Sequence, residues 1–588
     1  MRLLSRHSPA GLAALLLASL PGVPAIPGMP LVLEVAGQEA RAGDPGTATS
    51  RDPGTVCADD PGGASSPAFR GGLQVGSEAE RYLRVLQVAG LTSPYPWSLR
   101  GFSPREAERV LPSPATLHPW QESWSSPGSG RGRGRLGWVE PEIGILFNST
   151  IPSGENDGAL WAGKGFTTLA RAGAWARLGP FHLRLAPEVF WTQNASFRLA
   201  PNGRTGEEAL RDPRFPGDID HPQRFGGWEY TRLDPGFSAL HLELPLLTVG
   251  ASGASQWWGP SLHYPLMLGN NAGGFPHAFV QTGGPLNLGL ARLHARILGG
   301  RLDQSPYSPV QEGETRRFIS GALLVLTPRG LPGLEVGAHR MAGTVWPKGG
   351  IGWADVGRPF RDVVSSLGEG RNPGNEHHLA GAFFRWVFPG AGFEMYAEVL
   401  REDFDRDLRH YIVEPDDLMA RTFGFQRVWA RQGGSLVALR GEVVSSELHH
   451  SQRRDRFGDG TTDPRPLPRY IHSGVRQGHT QHGQILGSPT AYGGSGWTLG
   501  VDRYGRRGRW TVDVSRALRL DWLPAVPGPA EVNLAEVGYT MRVEGVWRLG
   551  GVEWGAAAAP SWHLNRNLAR GRDLFNMKME VWGRGLPR

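Results

Sequence analysis

Apolar and polar side chains alternate strictly in short stretches that recur along most of this chain. Residues 393–399 show the pattern most clearly, with Phe393, Met395, Ala397 and Val399 on one parity and Glu394, Tyr396 and Glu398 on the other. Successive side chains of a β-strand point to opposite faces, so each stretch predicts a strand with one apolar and one polar face. The alternation returns at residues 181–185, 240–244, 510–514, 541–544 and 576–581. An all-β protein built by repeating this strand is therefore predicted.

Two all-β architectures share this pattern and differ in which face meets water. A soluble sandwich turns its apolar faces into a core, whereas a transmembrane barrel turns them to lipid and its polar faces to the lumen. Strand units run from about residue 139 to the C-terminus, which is far too long for one sandwich. We count about 16 to 18 units, within the range of large outer-membrane barrels. The favoured fold is a large antiparallel transmembrane β-barrel.

The connections between the strand units support the barrel. Short turns such as residues 389–392 and 505–508 suit one rim of a barrel, and long insertions suit the other. The long insertions lie at about residues 192–236, 252–284, 344–376 and 447–494. This division predicts a barrel whose long loops face the outside of the cell.

Composition excludes several other classes of protein. Only 39% of the residues are hydrophobic and the mean hydropathy is −0.31, values that exclude a helical membrane protein but not a barrel, because half of each barrel strand is polar. The net charge of +7 is modest and its arginines are spread out, so no nucleic-acid partner is expected. Cys57 is the only cysteine, which excludes an intrachain disulfide and a thiolate metal cluster.

The N-terminal part of the chain is predicted to have three segments before the barrel. Residues 1–25 have basic residues, an apolar run and small residues before a cleavage point, as a secretory signal peptide does. Residues 26–76 are rich in Gly and Pro and predict a flexible leader. Residues 77–135 predict a small helical element, because Ser77 and Ser103 stand where helix N-caps are expected. The barrel with its long loops is predicted over residues 136–588.

The insertion at 252–284 contains the most distinctive candidate site. Indole rings pack on sugar rings and amides bond to sugar hydroxyls, so Trp257, Trp258, Asn270 and Asn271 are predicted to bind a glycan. The alternative is a loop stapled by its tryptophans, with the asparagines forming turns. A second stretch offers further polar and aromatic candidates for the same role, namely Tyr470, His472, His479 and Gln481.

These two stretches resemble a known family. Trp258-Gly259-Pro260, followed by Asn270-Asn271-Ala272 and Phe275-Pro276, is similar to a segment of the Wzi-type capsule-assembly family of outer-membrane barrels. The Tyr/His/Gly-rich residues 470–487 and the helical residues 81–103 resemble other parts of that family. The resemblance implies a barrel of about eighteen strands, with the helical element of residues 77–135 on the periplasmic side. It also implies that the protein attaches or organises capsular polysaccharide at the cell surface. It brings no catalytic residues with it.

The expected function is therefore glycan attachment in the outer membrane, with capsular or surface polysaccharide and outer-membrane lipid as partners and a monomeric barrel. Two rivals stay open: a porin-like diffusion channel, and a secreted soluble glycan-binding β protein. An enzyme is not expected, because no Gly-x-Ser-x-Gly elbow is present and Glu394 and Glu398 would lie about 13 Å apart along one strand. No cofactor and no metal site is expected, since the histidines at 472, 479 and 482 lack the compact spacing of zinc ligands.

Overall fold

The computed structural model describes residues 72–124, 136–361, 376–402, 419–431, 433–447, 468–520 and 535–586. The signal peptide predicted over 1–25 and nearly all of the leader predicted over 26–76 lie outside the described residues. In the part that is described, no helix has the length and apolar character needed to cross a bilayer.

The described residues contain five short α-helices and many β-strands. The helices are α1 (Glu78–Val88), α2 (Pro104–Val110), α3 (Gln121–Trp124), α4 (Trp353–Val356) and α5 (Arg358–Arg361). The strands are β1 (Leu99–Arg100), β2 (Leu136–Asn148), β3 (Gly165–Leu178), β4 (Phe181–Leu185), β5 (Glu188–Thr192), β6 (Tyr230–Asp234), β7 (Ala239–Glu243), β8 (Leu247–Ser252), β9 (Trp257–Trp258), β10 (His277–Thr282), β11 (Leu286–Asn287), β12 (Ala291–Asp303), β13 (Arg316–Pro328), β14 (Leu334–Val345), β15 (Glu376–Phe388), β16 (Phe393–Glu402), β17 (Met419–Ala430), β18 (Leu436–Ser445), β19 (Thr480–Gln481), β20 (Gln484–Ile485), β21 (Gly494–Gly505), β22 (Gly508–Leu520), β23 (Ala535–Leu549), β24 (Val552–Leu564) and β25 (Leu574–Gly585).

Most of these strands form one closed antiparallel barrel. The barrel strands pair in the order in which they follow along the chain, with β18 next to β21, and β25 closes the barrel by pairing with β2. Three strands of the barrel are each divided by a short break into two labelled segments. The segment pairs are β4 with β5, β6 with β7, and β10 with β11, and we count each pair as one strand. Counted in this way the described barrel has 18 strands, which confirms the predicted fold.

The two rims of the barrel differ in the length of their connections. One rim, here called the short-turn rim, has tight connections such as those between β15 and β16 and between β21 and β22. The other, the long-loop rim, has the long connections after β5, β8, β14 and β18. The predicted division into short turns and long loops is therefore confirmed for these strands.

The apolar side chains of the barrel strands point outward. On β16 the residues Phe393, Met395, Ala397 and Val399 are partly exposed, whereas Glu394, Tyr396 and Glu398 are buried. Exposed aromatic side chains mark both rims: Trp429, Trp510, Trp547 and Trp554 near the short turns, and Phe166, Tyr539, Trp562 and Phe575 near the long loops. An apolar band between two aromatic girdles is the surface of a transmembrane barrel.

The N-terminal helices lie inside the short-turn end of the barrel. The Ser77 hydroxyl caps α1 by accepting the Glu80 N–H at 3.2 Å, and Ser103 and Glu106 form a capping box on α2. The apolar residues of α1, among them Tyr82, Leu83 and Leu86, are buried against wall residues that include Val387 and Val428. Residues 72–124, here called the helical element, therefore fill this end of the lumen.

Candidate functional site

The polar face of β16 holds three different parts of the chain inside the lumen. Glu394 lies near the short turns, Glu398 lies in the middle of the strand, and Glu402 lies near the long loops. Residues four apart on a strand are separated by about 13 Å, so the three carboxylates form a ladder along the lumen. Each one contacts a separate inserted segment, and the strand therefore positions the whole filling of the barrel.

Ion pairs hold the helical element to the wall. Arg84 of α1 donates to Glu394 at 2.9 Å, and Arg385 of β15 bridges Glu394 at 2.7 Å and Glu335 at 2.6 Å, with all four side chains buried. Glu335 also accepts the N–H groups of Trp97 and Ser98. A buried cation is stable only when it is paired, so Arg84 ties the helical element to the wall carboxylate Glu394.

A second segment, residues 253–276, folds from the long-loop rim into the middle of the lumen. We call it the central loop. Glu442 of β18 accepts the backbone N–H groups of Leu262, His263 and Tyr264 at 2.6, 3.1 and 2.5 Å. Tyr396 donates its hydroxyl to the same carboxylate at 2.5 Å, and Glu398 accepts the N–H of Leu266 at 3.1 Å. Wall carboxylates thus satisfy the backbone of a buried segment that has little secondary structure of its own.

The predicted glycan-binding tryptophans lie in this central loop and are buried. Trp257 and Trp258 form β9, which pairs with Arg100 and Leu99 of β1 in the helical element. Trp257 is 2% exposed beneath the guanidinium of Arg100, and Trp258 is 0% exposed within the lumen core. The two indoles therefore join the central loop to the helical element in this structure.

A third segment, residues 468–493, covers the central loop from the long-loop side. We call it the upper segment. Glu402 accepts the backbone N–H of Tyr470 at 3.1 Å, and the Tyr470 hydroxyl donates to the carbonyl of Leu266 at 2.8 Å. His479 donates through Nε2 to the carbonyl of Met267 at 2.7 Å. Burial lowers the pKa of His479 to about 3, so its ring is neutral.

The remaining predicted residues also serve contacts between segments. The side-chain amides of Asn270 and Asn271 donate to the carbonyls of Asn156 and Ile485, each at 2.9 Å. His472 accepts two backbone N–H groups of its own turn, and Gln481 accepts the N–H of Asp303 at 2.9 Å. Of the eight predicted residues seven are buried and Asn271 is partly exposed. The structure brings them together as a packed filling, and direct contact with a glycan stays a prediction.

The barrel interior contains a small cavity beside the helical element. A cavity of about 60 Å³ lies between the helical element and the wall, lined by residues that include His182, His241 and Arg296. Small-molecule sites usually have about 300–1,000 Å³, so this cavity suits a few water molecules rather than a sugar. Within the described residues no three His, Cys, Asp or Glu side chains are grouped as a metal site would require.

Three loops and the start of β6 bring a group of aromatic rings to the surface at the long-loop rim. We call this group the aromatic patch, and its members are Trp161, Phe225, Trp228, Tyr230 and Tyr307. Phe225 is buried at its centre, with the Trp161 ring 4.9 Å away and the Tyr307 ring 6.4 Å away, both edge to face. Trp161 and Tyr307 are half-buried and Trp228 is 82% exposed. The patch therefore presents rings of different loops to the solvent.

Asn194 fixes the geometry of the aromatic patch from below. Its amide donates to the carbonyls of Phe225 and Trp228, both at 2.8 Å, and its oxygen accepts the Trp161 indole N–H at 3.3 Å. Gly226 has φ +86°, and a Cβ there would lie 2.9 Å from the Tyr307 hydroxyl oxygen. Burial and the nearby Glu207 carboxylate raise the pKa of Tyr307, so its hydroxyl stays protonated and able to donate.

Sequence reasoning missed this patch. Phe225, Trp228 and Tyr230 are close together in the chain, but Trp161 and Tyr307 are distant from them, and only the folded loops bring the five rings together. The available signal was single aromatic residues within Gly-rich loops, such as Trp161 between Gly158 and Gly163. The Trp257-Trp258 pair was a stronger local signal, but it belongs to the interior.

Comparisons with known proteins agree with this architecture. The family model described as capsule assembly protein Wzi matches residues 152–556, more than two thirds of the chain. The solved structure of Wzi from Escherichia coli is 14% identical, with a TM-score of 0.56, and the match covers 88% of this chain and 99% of that one. No curated protein sequence matches.

Channel proteins are also among the similar structures, at a lower level. OccAB2 of Acinetobacter baumannii is 9% identical over 76% of this chain and 97% of that one, with a TM-score of 0.36. A BenF-like porin of Pseudomonas fluorescens Pf-5 is 8% identical over the same shares, with a TM-score of 0.37. Superpositions this weak carry no argument about function. The match of the family model to most of the chain, together with the 18-stranded barrel, shows that this protein belongs to the Wzi capsule-assembly family and lies in the outer membrane.

Proposed function

We propose that this protein binds capsular or surface polysaccharide at the long-loop rim and thereby retains the polymer on the cell. The observation that carries the proposal is the filled lumen: the helical element, the central loop and the upper segment occupy it from rim to rim. A filled barrel is poorly suited to passing solutes, and its long-loop surface is the part available to a polymer outside the cell. Wzi of E. coli, which shares the fold, is known as a carbohydrate-binding barrel, and this supports the same role here.

The proposed contact surface is the aromatic patch. Aromatic faces pack on sugar rings while nearby amides and hydroxyls bond to sugar hydroxyls, and Trp161, Trp228 and Tyr307 offer both kinds of group. A polymer presents many repeats to many barrels, so modest affinity at each one gives strong retention. We propose that Trp257, Trp258, Asn270, Asn271, Tyr470, His472, His479 and Gln481 support this surface from within, by fixing the central loop and the upper segment that underlie it.

The proposal extends to orientation and mechanism. Short turns of outer-membrane barrels face the periplasm, which places the helical element on the periplasmic side and the aromatic patch outside the cell. One chain closes its own barrel, so we propose a monomer surrounded by outer-membrane lipid. We propose binding without catalysis: Glu394, Glu398 and Glu402, the most regular carboxylate series of the lumen, all contact the filling.

The test is to replace Trp161 and Tyr307 together by alanine and to measure binding of purified polysaccharide and the ratio of cell-bound to released polymer. We expect binding to fall about tenfold or more, because central aromatic contacts usually contribute above about 1–2 kcal/mol each. Trp562→Ala is the matched control, since Trp562 is a half-exposed aromatic of the lipid-facing wall near the same rim. A barrel that folds normally and binds polysaccharide as well as the control would overturn the assignment of the patch.

A gene deletion tests the role apart from the site. We expect polysaccharide synthesis to continue while polymer shifts from the cell surface into the medium. Unchanged retention in the deletion strain would contradict attachment itself, whereas normal retention in the Trp161/Tyr307 variant alone would contradict only the site.

A further inference from the structure

The outer wall of the barrel is covered at one place by a loop of the chain itself. Near the long-loop rim several outward-pointing residues of β13, β14 and β15 are buried instead of facing lipid: Phe318, Ser320, Ala342, Thr344, Glu376 and His378. Further down the same wall, outward residues such as Ile297 and Leu324 are exposed. Residues 346–361, which include α4 and α5, provide the cover, and we call them the strap.

Specific contacts hold the strap against the wall. The Trp346 ring packs edge to face on the Phe318 ring, with 6.1 Å between the ring centroids. The backbone N–H of Trp346 donates to the backbone carbonyl of Arg316 at 3.0 Å. Arg340 points outward from β14 and donates to the carbonyl of Pro359 at 3.3 Å. Arg358 of the strap forms an ion pair with Glu376. The strap therefore satisfies outward polar groups that lipid hydrocarbon could not satisfy.

The free face of the strap is apolar and continues the lipid-facing band. Trp353 is 91% exposed, and Ile351 and Phe360 are about half exposed. The strap follows β14 and contacts the ends of β13, β14 and β15, so these side chains lie near the level where the barrel wall meets its long loops. Aromatic residues at this level typically enter the headgroup region of a bilayer, and short amphipathic segments bind there with their apolar faces.

Two cations stand beside this apolar face. Arg316 is an exposed residue at the end of β13, and Lys348 is exposed two residues after Trp346, which contacts the Arg316 backbone. Neither side chain is within ion-pair distance of a carboxylate in the described part of the chain. Cations at the level of the headgroups attract anionic lipids, and each Lys or Arg contributes about 1 kcal/mol to the binding free energy.

From this arrangement we infer that the strap is a binding site for a phosphorylated glycolipid of the outer leaflet. Its acyl chains would pack on Trp353, Ile351 and Phe360, and its phosphate groups would accept hydrogen bonds from Arg316 and Lys348. The occupant is a lipid rather than a second copy of the chain, because the apolar face is continuous with the surface that already faces the bilayer. The site is independent of polysaccharide binding, which uses the top of the long loops.

The experiment measures lipid binding to the purified full-length protein in detergent micelles by native mass spectrometry and titration. The probes are bis-phosphorylated lipid A, the same lipid without its phosphates, and phosphatidylglycerol. The variant Arg316→Gln/Lys348→Gln should bind the bis-phosphorylated lipid about 10- to 30-fold more weakly, from the loss of two headgroup contacts. Arg503→Gln/Arg507→Gln is the matched control, since both are exposed cations at the short-turn rim.

A second variant tests the apolar part, and folding is checked by the mobility of unheated samples on gels. Trp353→Ala should weaken binding of the phosphorylated and the dephosphorylated lipid by the same factor, because it removes only acyl contacts. Selective loss in Arg316→Gln/Lys348→Gln with normal binding in the control supports the site. Equal binding by this variant and the wild-type protein, equal binding of phosphatidylglycerol and lipid A, or a protein dimer that Trp353→Ala abolishes would overturn it.

Discussion

Ion pairs hold the helical element in the short-turn half of the lumen, whereas hydrogen bonds from backbone N–H groups hold the loops in the long-loop half. In the first half Glu394 faces two guanidinium groups, those of Arg84 and Arg385. In the second half Glu442 and Glu402 accept backbone N–H groups. Loss of Glu394 therefore strands buried cations in the short-turn half, whereas loss of Glu442 leaves backbone N–H groups and the Tyr396 hydroxyl without an acceptor in the long-loop half. The helical element is expected to be the more firmly fixed part.

The largest effect is expected for Glu394→Gln. The substitution leaves Arg84 and Arg385 buried with less compensating charge, and breaking a buried pair costs about 3–5 kcal/mol. We expect faster hydrogen exchange throughout α1 and lower stability toward urea in detergent.

The matched control is Glu142→Gln. Glu142 pairs with Arg171 at 3.0 Å and Arg584 at 2.8 Å, and all three residues belong to the wall. This variant should lose stability without loosening α1. Unchanged exchange of α1 in Glu394→Gln would contradict the ion-pair account of the short-turn half.

A smaller effect is expected for Glu442→Gln. The amide keeps one acceptor oxygen, so the central loop loses part of its anchoring, at about 1–3 kcal/mol for unsatisfied buried donors. Hydrogen exchange should become faster at residues 262–264 and stay slow in α1. Equal loosening of both segments would mean that the two halves of the lumen are not held independently.

The smallest effect is expected in how the unfolding free energy depends on pH, through the titration of His263. Burial opposes charging of this ring, but the Glu155 carboxylate at 3.3 Å raises the pKa of His263 above its ordinary value near 6.5. The His263–Glu155 contact therefore stabilises the folded protein fully below about pH 6.5. This stabilisation is lost as the pH rises through the raised pKa that His263 has in the folded protein. Because both side chains are partly exposed, the effect should stay below about 1 kcal/mol.

The measurement compares unfolding free energies at pH 6 and pH 9 in the wild-type protein and in His263→Gln. The wild-type protein should lose slightly more stability between the two values than the variant does. An equal loss in both would show that the His263–Glu155 contact contributes nothing.

Local sequence pattern was sufficient to predict the wall but not the filling of the lumen. The alternation in β16 showed which side chains share a face, and the interpretation of Glu394 and Glu398 as lumen residues is confirmed by their burial. Their partners were not predictable, because Arg84 lies 310 positions before Glu394 and nothing local relates the two.

The direction in which a loop folds was equally hidden. The sequence around Trp257 and Trp258 is compatible with a loop that extends into solvent and with a loop that returns into the lumen. Both arrangements use aromatic residues in irregular backbone. The wall carboxylates that accept the N–H groups of the central loop come from strands far along the chain. The aromatic patch was hidden for the same reason, because three separate loops supply it.

The conductance of the purified wild-type protein in a planar lipid bilayer tests the central claim most directly. A barrel filled by its own helical element, central loop and upper segment should insert without steady conductance steps, as expected of a polysaccharide-binding protein. Regular, long-lived steps of a size typical of an open barrel, from samples in which α1 retains slow hydrogen exchange, would contradict the account and favour a diffusion channel.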